Sequence, residues 1–257
     1  MTTFADGIVE NAWYPLGSPV DIRRHGIEHT RLMGRQIDLE VHRTWISPSV
    51  DGQALPVTER LGLVWTTLGR PNGPPQQLIE YYEVDRTTVN VSSAPVGLAG
   101  PKVLEGAVGL LDGSGQSDGA GSRQVAVGGL GIDRDEHGAL RIVSDRANLG
   151  TLGAELACEA RIVTPYSAVF AFRHPSRPPG QEHRQDLFAI FCQPLEAGLT
   201  VVHRLAAIVD LPAGEVDRIR SGRPIAQGDA PPPFETDAIR AYRTWIDGIS
   251  PGALGTG

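Results

Sequence analysis

Apolar and polar residues alternate along most of this chain, which predicts a protein built mainly of strands. Ile37, Leu39 and Val41 alternate with Gln36, Asp38, Glu40 and His42, the pattern of a strand with one buried face. Leu152, Ala154, Leu156, Cys158, Ala160 and Ile162 form a longer series opposite Glu155, Glu159 and Arg161. The run 61–68 is mostly apolar between turn residues, and residues 76–92 suggest two strands around Glu83 and Arg86. Segments 166–173, 187–192 and 200–209 add three more strands. Their apolar residues are expected to be sheet core.

Helical periodicity is scarcer. Segment 102–111 sets Val103, Leu104, Ala107, Val108 and Leu111 on one side, and 214–220 suggests a second short helix. The strongest signal is last: Ile239, Tyr242, Trp245, Ile246 and Ile249 recur at helical spacing. Pro231, Pro232 and Pro233 stop anything before it, and Pro251-Gly252 ends it. Strands closed by one C-terminal helix predict an α+β fold, a curved antiparallel sheet packed on that helix. Residues 113–121 read as a Gly-rich loop, and there is no internal repeat.

Composition narrows the function classes. The 257 residues are 40% hydrophobic and 21% charged, ordinary for a folded soluble domain. The 30 Asp and Glu exceed the 23 Lys and Arg, for a net charge of -7. Lys102 is the only lysine, and the arginines are scattered. The clustered cations that bind nucleic acid or anionic membranes are therefore absent from the sequence. No apolar run approaches the roughly 20 residues needed to span a bilayer. Residues 1–7 do not read as a signal peptide. Cys158 and Cys192 alone supply no disulfide framework or four-cysteine metal site. The expectation is a reduced, cytoplasmic protein.

Chemical motifs are few. Gly115-Gln-Ser-Asp-Gly119 matches the G-x-S-x-G nucleophile elbow, but lacks the strand before and helix after that this motif needs. Residues 113–119 also miss the dinucleotide fingerprint by one position. His25 and His29 are four apart, yet their charged neighbours suggest a solvated segment or a strand. His203 lies inside the apolar segment 200–209, where a buried structural histidine and an acid/base group are both open readings.

Several stretches, taken in order, resemble the Rieske non-haem iron oxygenases of the vanillate-demethylase type. Segment 9–15, Val-Glu-Asn-Ala-Trp-Tyr-Pro, is similar to their N-terminal N-x-W-Y-P, and 31–39 to the following hairpin. Segment 55–65, Leu-Pro-Val-Thr-Glu-Arg-Leu-Gly-Leu-Val-Trp, resembles P-V-x-E-R-x-G-L-V-W. Segments 186–191 and 200–203 resemble later sheet strands; Arg223-Pro224, Glu235 and 241–246, Ala-Tyr-Arg-Thr-Trp-Ile, resemble the final helix region. The resemblance implies a single domain over 1–257. Residues 1–53 would be a remnant of the N-terminal region, packed on a helix-grip core at 54–250.

The resemblance also implies what this chain has lost. The family holds a two-iron, two-sulfur cluster on C-x-H and C-x-x-H. Here only 44–53 occupy that interval, without Cys or His. The family's mononuclear iron uses a helix pattern close to E-N-x-x-D-x-x-H-x-x-x-x-H. Aligning on Glu105 puts Gly106 and Gly109 at the Asn and Asp positions, with Asp112 and Gln116 or Ser117 at the His positions. No histidine occurs between His42 and His137. The implied protein has no metal and no cofactor. It would be a cyclase or isomerase-type enzyme closing a ring in a hydrophobic, carbonyl-bearing small molecule of secondary metabolism. Asp112 or His203 would be the acid/base, Tyr166 and Gln116 the carbonyl donors, and Glu155, Tyr242 and Trp245 the substrate-binding groups. Two other readings use the same scaffold: a non-catalytic partner of an intact oxygenase, or a carrier of hydrophobic ligands. A homo-oligomer is compatible with each.

Overall fold

The computed structural model describes residues 11–71, 89–109, 111, 130–135, 138–148, 155–173, 186–207 and 236–248. The expected helix at 214–220, the loop at 113–121 and the 76–88 part of the strand-rich stretch lie outside them.

The N-terminal portion forms two small sheets. One is β1 (Tyr14–Gly17), β7 (Leu63–Thr66) and β6 (Val57–Arg60) in that order. The other is β2 (His29–Leu32), β3 (Arg35–Val41), β4 (Ile46–Val50) and β5 (Gln53–Ala54). Three hairpins turn on two residues with positive φ: Met33-Gly34, Asp51-Gly52 and Leu61-Gly62. Such turns match the right-handed twist of paired strands. Between β1 and β2 lies α1 (Pro19–His25), which apolar spacing did not predict. Its signal is at its ends. The Ser18 hydroxyl accepts from the Val20 and Asp21 amides, Pro19 opens the helix, and Gly26 closes it at φ 59°. His25 thus ends a helix and His29 starts a strand.

The later described residues form a seven-stranded antiparallel sheet in the order β8 (Val89–Val96), β14 (Leu199–Ala207), β13 (Asp186–Glu196), β12 (Ser167–Arg173), β11 (Glu155–Thr164), β10 (Leu140–Asn148) and β9 (Leu130–Arg134). Two helices accompany it, α2 (Gly100–Gly109) and α3 (Asp237–Asp247). Thr236 caps α3 by accepting from the Ile239 amide at 3.2 Å.

Strand alternation gives this sheet two buried faces. Cys158, Ala160, Ile162, Phe170, Phe172, Ile190, Cys192 and Val202 share a core with Val103, Leu104, Ala107 and Val108 of α2 and Tyr242 and Trp245 of α3. On the opposite face, Val169, Ala171, Leu187, Ala189, Phe191 and Leu205 pack with Leu63 and Trp65 of β7. Trp65 meets Phe191 edge-on, with ring centroids 4.8 Å apart. The N-terminal portion is also tied by backbone: the Met33 and Gly34 amides donate to the Pro194 and Leu195 carbonyls, both at 2.7 Å. Strands β6 and β7, counted above with residues 54–250, pair with β1.

Candidate active site

The helix-side face holds a group of buried tyrosines where α2 begins. Gly100 lets this happen: a Cβ there would lie 2.6 Å from the Tyr166 ring and 3.1 Å from the Cys192 Cβ. Tyr166 meets Tyr14 of β1 edge-on at 5.4 Å. Burial pushes the Tyr166 hydroxyl up to about 12, so it keeps its proton throughout the physiological range. Burial likewise raises Tyr14 and Tyr242 well above the ordinary tyrosine value.

Tyr242 and Trp245 are brought to the same core, with their polar ends engaged by the backbone. The Tyr242 hydroxyl lies 3.2 Å from the Pro101 carbonyl and 3.4 Å from the Pro165 carbonyl. Trp245 Nε1 donates to the Gly138 carbonyl at 3.0 Å. These bonds tie α3 to the start of α2, the β11–β12 turn and the entry to β10.

His203 stands on the other face. Its neighbour Val202 lies with Cys192 on the helix side, so alternation sends His203 toward the N-terminal portion and Arg204 toward the helices. His203 is 1% exposed. Its Nδ1 is 2.8 Å from Ser93 Oγ on β8, and its Nε2 is 3.2 Å from Gln193 Oε1 on β13. Gln193 Nε2 donates to Thr30 Oγ1 at 2.9 Å and the Arg31 carbonyl at 2.8 Å. Burial without a charged partner pushes the imidazole down to about 3. His203 is therefore neutral, and it sits apart from the tyrosine group. Neither Ser93 nor Gln193 stands out in the sequence, because register alone brings them together.

Asp112 and Gln116 lie outside the described residues, as does the G-x-S-x-G match at 115–119. Glu155 opens β11 opposite Asn148.

Among the described residues nothing fits the cluster that the family resemblance implies, and the positions aligned with its mononuclear iron ligands, Asp112 and Gln116 or Ser117, lie outside them. The interval 44–53, where a cluster-bearing segment would be, is the tip of the β3–β4 hairpin, β4, the Asp51-Gly52 turn and the start of β5. Cys158 and Cys192 are both buried in the large sheet, and burial raises the Cys158 thiol far above its ordinary value. On α2 the acid Glu105, 3% exposed, accepts from Lys102 Nζ at 2.7 Å and from Arg243 of α3. Burial alone would raise its pKa, but the bonds from Arg243 and Lys102 outweigh this and lower it. A carboxylate engaged by two side-chain cations is a poor metal ligand. Among the described residues, no group of three or more His, Cys, Asp or Glu side chains is placed to hold an ion.

No protein-family model matches the sequence, and no curated protein matches it either. Solved structures do match. Dicamba monooxygenase bound to dicamba aligns over 93% of this chain and 96% of its own, with TM-score 0.67 and 10% identity. NdmA of Pseudomonas putida CBB5 with caffeine aligns over 95% and 94%, with TM-score 0.63 and 11% identity. NdmB of the same organism aligns over 93% and 89%, with TM-score 0.63 and 10% identity. At this identity the likeness is one of architecture, and the chain has the fold of the Rieske oxygenases.

Proposed function

We propose that the protein is a cofactor-independent cyclase or isomerase-type enzyme acting on a hydrophobic, carbonyl-bearing small molecule. A mismatch between fold and side chains carries this reading. The architecture matches oxygenases solved with caffeine and dicamba, while the sequence has no C-x-H or C-x-x-H pair and carries Asp112 and Gln116 or Ser117 at the family's helix His positions. In this reading the large sheet curves around α3 as a helix grip and keeps a chamber for a small organic molecule. Such a chamber accelerates ring closure by holding a flexible substrate in its reactive conformer, an effect worth several kcal/mol. The setting would be cytoplasmic and the pathway secondary metabolism; among the described residues no helix is long and apolar enough to cross a membrane.

Tyr166 has the best claim to the carbonyl donor, being buried and protonated. A phenol aimed at a carbonyl oxygen stabilises the negative charge that develops there. Gln116 would be a second donor and Asp112 the acid/base. His203 is the weaker acid/base choice, because it lies on the other sheet face. Glu155, Tyr242 and Trp245 would shape the chamber.

The test is chelator-treated protein incubated with the acyclic precursor made by neighbouring genes. Turnover above the uncatalysed rate is expected, with kcat reduced about a hundredfold in Tyr166→Phe, the scale for loss of one such donor. Conversion no faster than in buffer would refute the enzyme reading, and saturable binding without conversion would favour a carrier. A stable mixed oligomer with an intact oxygenase subunit would favour the partner reading.

A further inference from the structure

We infer that Ser93 is a second reactive site: a serine nucleophile paired with His203 and directed at activated acyl compounds, such as thioesters and aryl esters. This site lies on the other sheet face from the tyrosine group, and of the groups named for the cyclase reading it uses only His203.

The hydrogen-bond chain fixes every proton in it. Gln193 uses its amide nitrogen on Thr30 Oγ1 and the Arg31 carbonyl, so its Oε1 faces His203. Oε1 can only accept, so His203 Nε2 carries the imidazole proton and Nδ1 presents its lone pair. Ser93 Oγ, 2.8 Å away, therefore donates to Nδ1. This is a nucleophile, base and orienting group in series, recognisable by roles and not by sequence order. The two ends differ in access. Ser93 is exposed on β8, which is the edge strand among the described residues, while His203 is shielded from water.

The step balances without a cofactor. Ser93 Oγ attacks the acyl carbon and its proton passes to Nδ1. The bond from carbon to the leaving group breaks, the pair departs with that group, and Nδ1 returns the proton to it. The products are acyl-Ser93 and the free thiol or phenol. The group facing Nε2 is a neutral amide, so the base is weak. The site therefore needs a leaving group that departs readily, and amides are excluded as substrates.

Ser92 is the internal control. It is exposed on the same strand, but its register partner is Arg204 and its side chain points to the other face. The folded full-length protein is treated with p-nitrophenyl acetate and, separately, with a fluorophosphonate, then mapped by peptide mass spectrometry. The expected result is at least about tenfold more label on Ser93 than on Ser92, in keeping with the typical gain from a positioned base. The rate should hold from pH 8 down to pH 5, because Nδ1 stays unprotonated there. Equal label on the two serines, or a rate that halves near the ordinary histidine pKa, would overturn the assignment. His203→Gln, checked for folding by circular dichroism, should erase the preference for Ser93, and a preference that survives in it would overturn the assignment too.

Discussion

Buried, neutral His203 should make folding sensitive to mild acid. Its imidazole titrates at about 3 in the folded chain, against about 6.5 when unfolded. Below pH 6.5 the unfolded chain binds a proton that the folded chain refuses. Stability is then fully present above pH 6.5 and is lost as pH falls toward the folded value. One such group removes up to about 1.4 kcal/mol per pH unit, so about 2 kcal/mol between pH 6.5 and pH 5. The groups facing the ring are neutral, Ser93 and Gln193, so no nearby carboxylate offsets the effect. The assay is urea unfolding followed by circular dichroism at half-unit pH steps, for the wild type and His203→Leu. The variant should be less stable at pH 7, because Gln193 Oε1 loses its partner. It should also lose this part of the pH slope. Parallel slopes for the two proteins between pH 6.5 and pH 5 would refute the reasoning.

Three further outcomes are expected. Gly100→Ala should lower stability by about 1–3 kcal/mol, the usual range for overpacking, because its Cβ would press on the Tyr166 ring and the Cys192 Cβ; thermal unfolding reads it, and an unchanged Tm would contradict the tight approach of α2. Glu105 has a folded pKa below its unfolded value, so its contribution is present above the unfolded value and lost as pH falls through the folded one. Glu105→Gln should therefore flatten the pH–stability curve below about pH 4.5, and an unaltered acid limb would contradict the bridge to Lys102 and Arg243. Tyr242→Phe should cost about 1 kcal/mol in chemical denaturation by releasing the Pro101 and Pro165 carbonyls, and a neutral result would mean that the hydroxyl does not hold α3 in place.

The strands of the large sheet were legible wherever one face was buried against polar neighbours, as in Cys158–Ile162 of β11. Segment 187–192 showed only its apolar middle, and β13 runs on to Glu196, where Pro194 and Leu195 accept from the β2–β3 turn. Helix α3 was legible because Ile239, Tyr242 and Trp245 fall on one buried stripe. Helix α1 was not, since only Ile22 is buried and its definition rests on Ser18, Pro19 and Gly26. Strand β9 is exposed along nearly its whole length, so it left no alternation to read. At the candidate site, Tyr166, Tyr242 and Trp245 could be singled out as aromatic residues in apolar periodic segments. The bond from Glu105 to Arg243 spans 138 positions and that from Ser93 to His203 spans 110, so neither has a local signature.

On the reading proposed above, the chain keeps the oxygenase architecture and binds neither iron centre. The direct measurement is iron and acid-labile sulfide in protein expressed with ample iron and sulfur and purified without chelator. Only traces of both, in protein that circular dichroism shows to be folded, is the predicted result. Stoichiometric iron, or the visible absorbance of an iron–sulfur cluster, would contradict it.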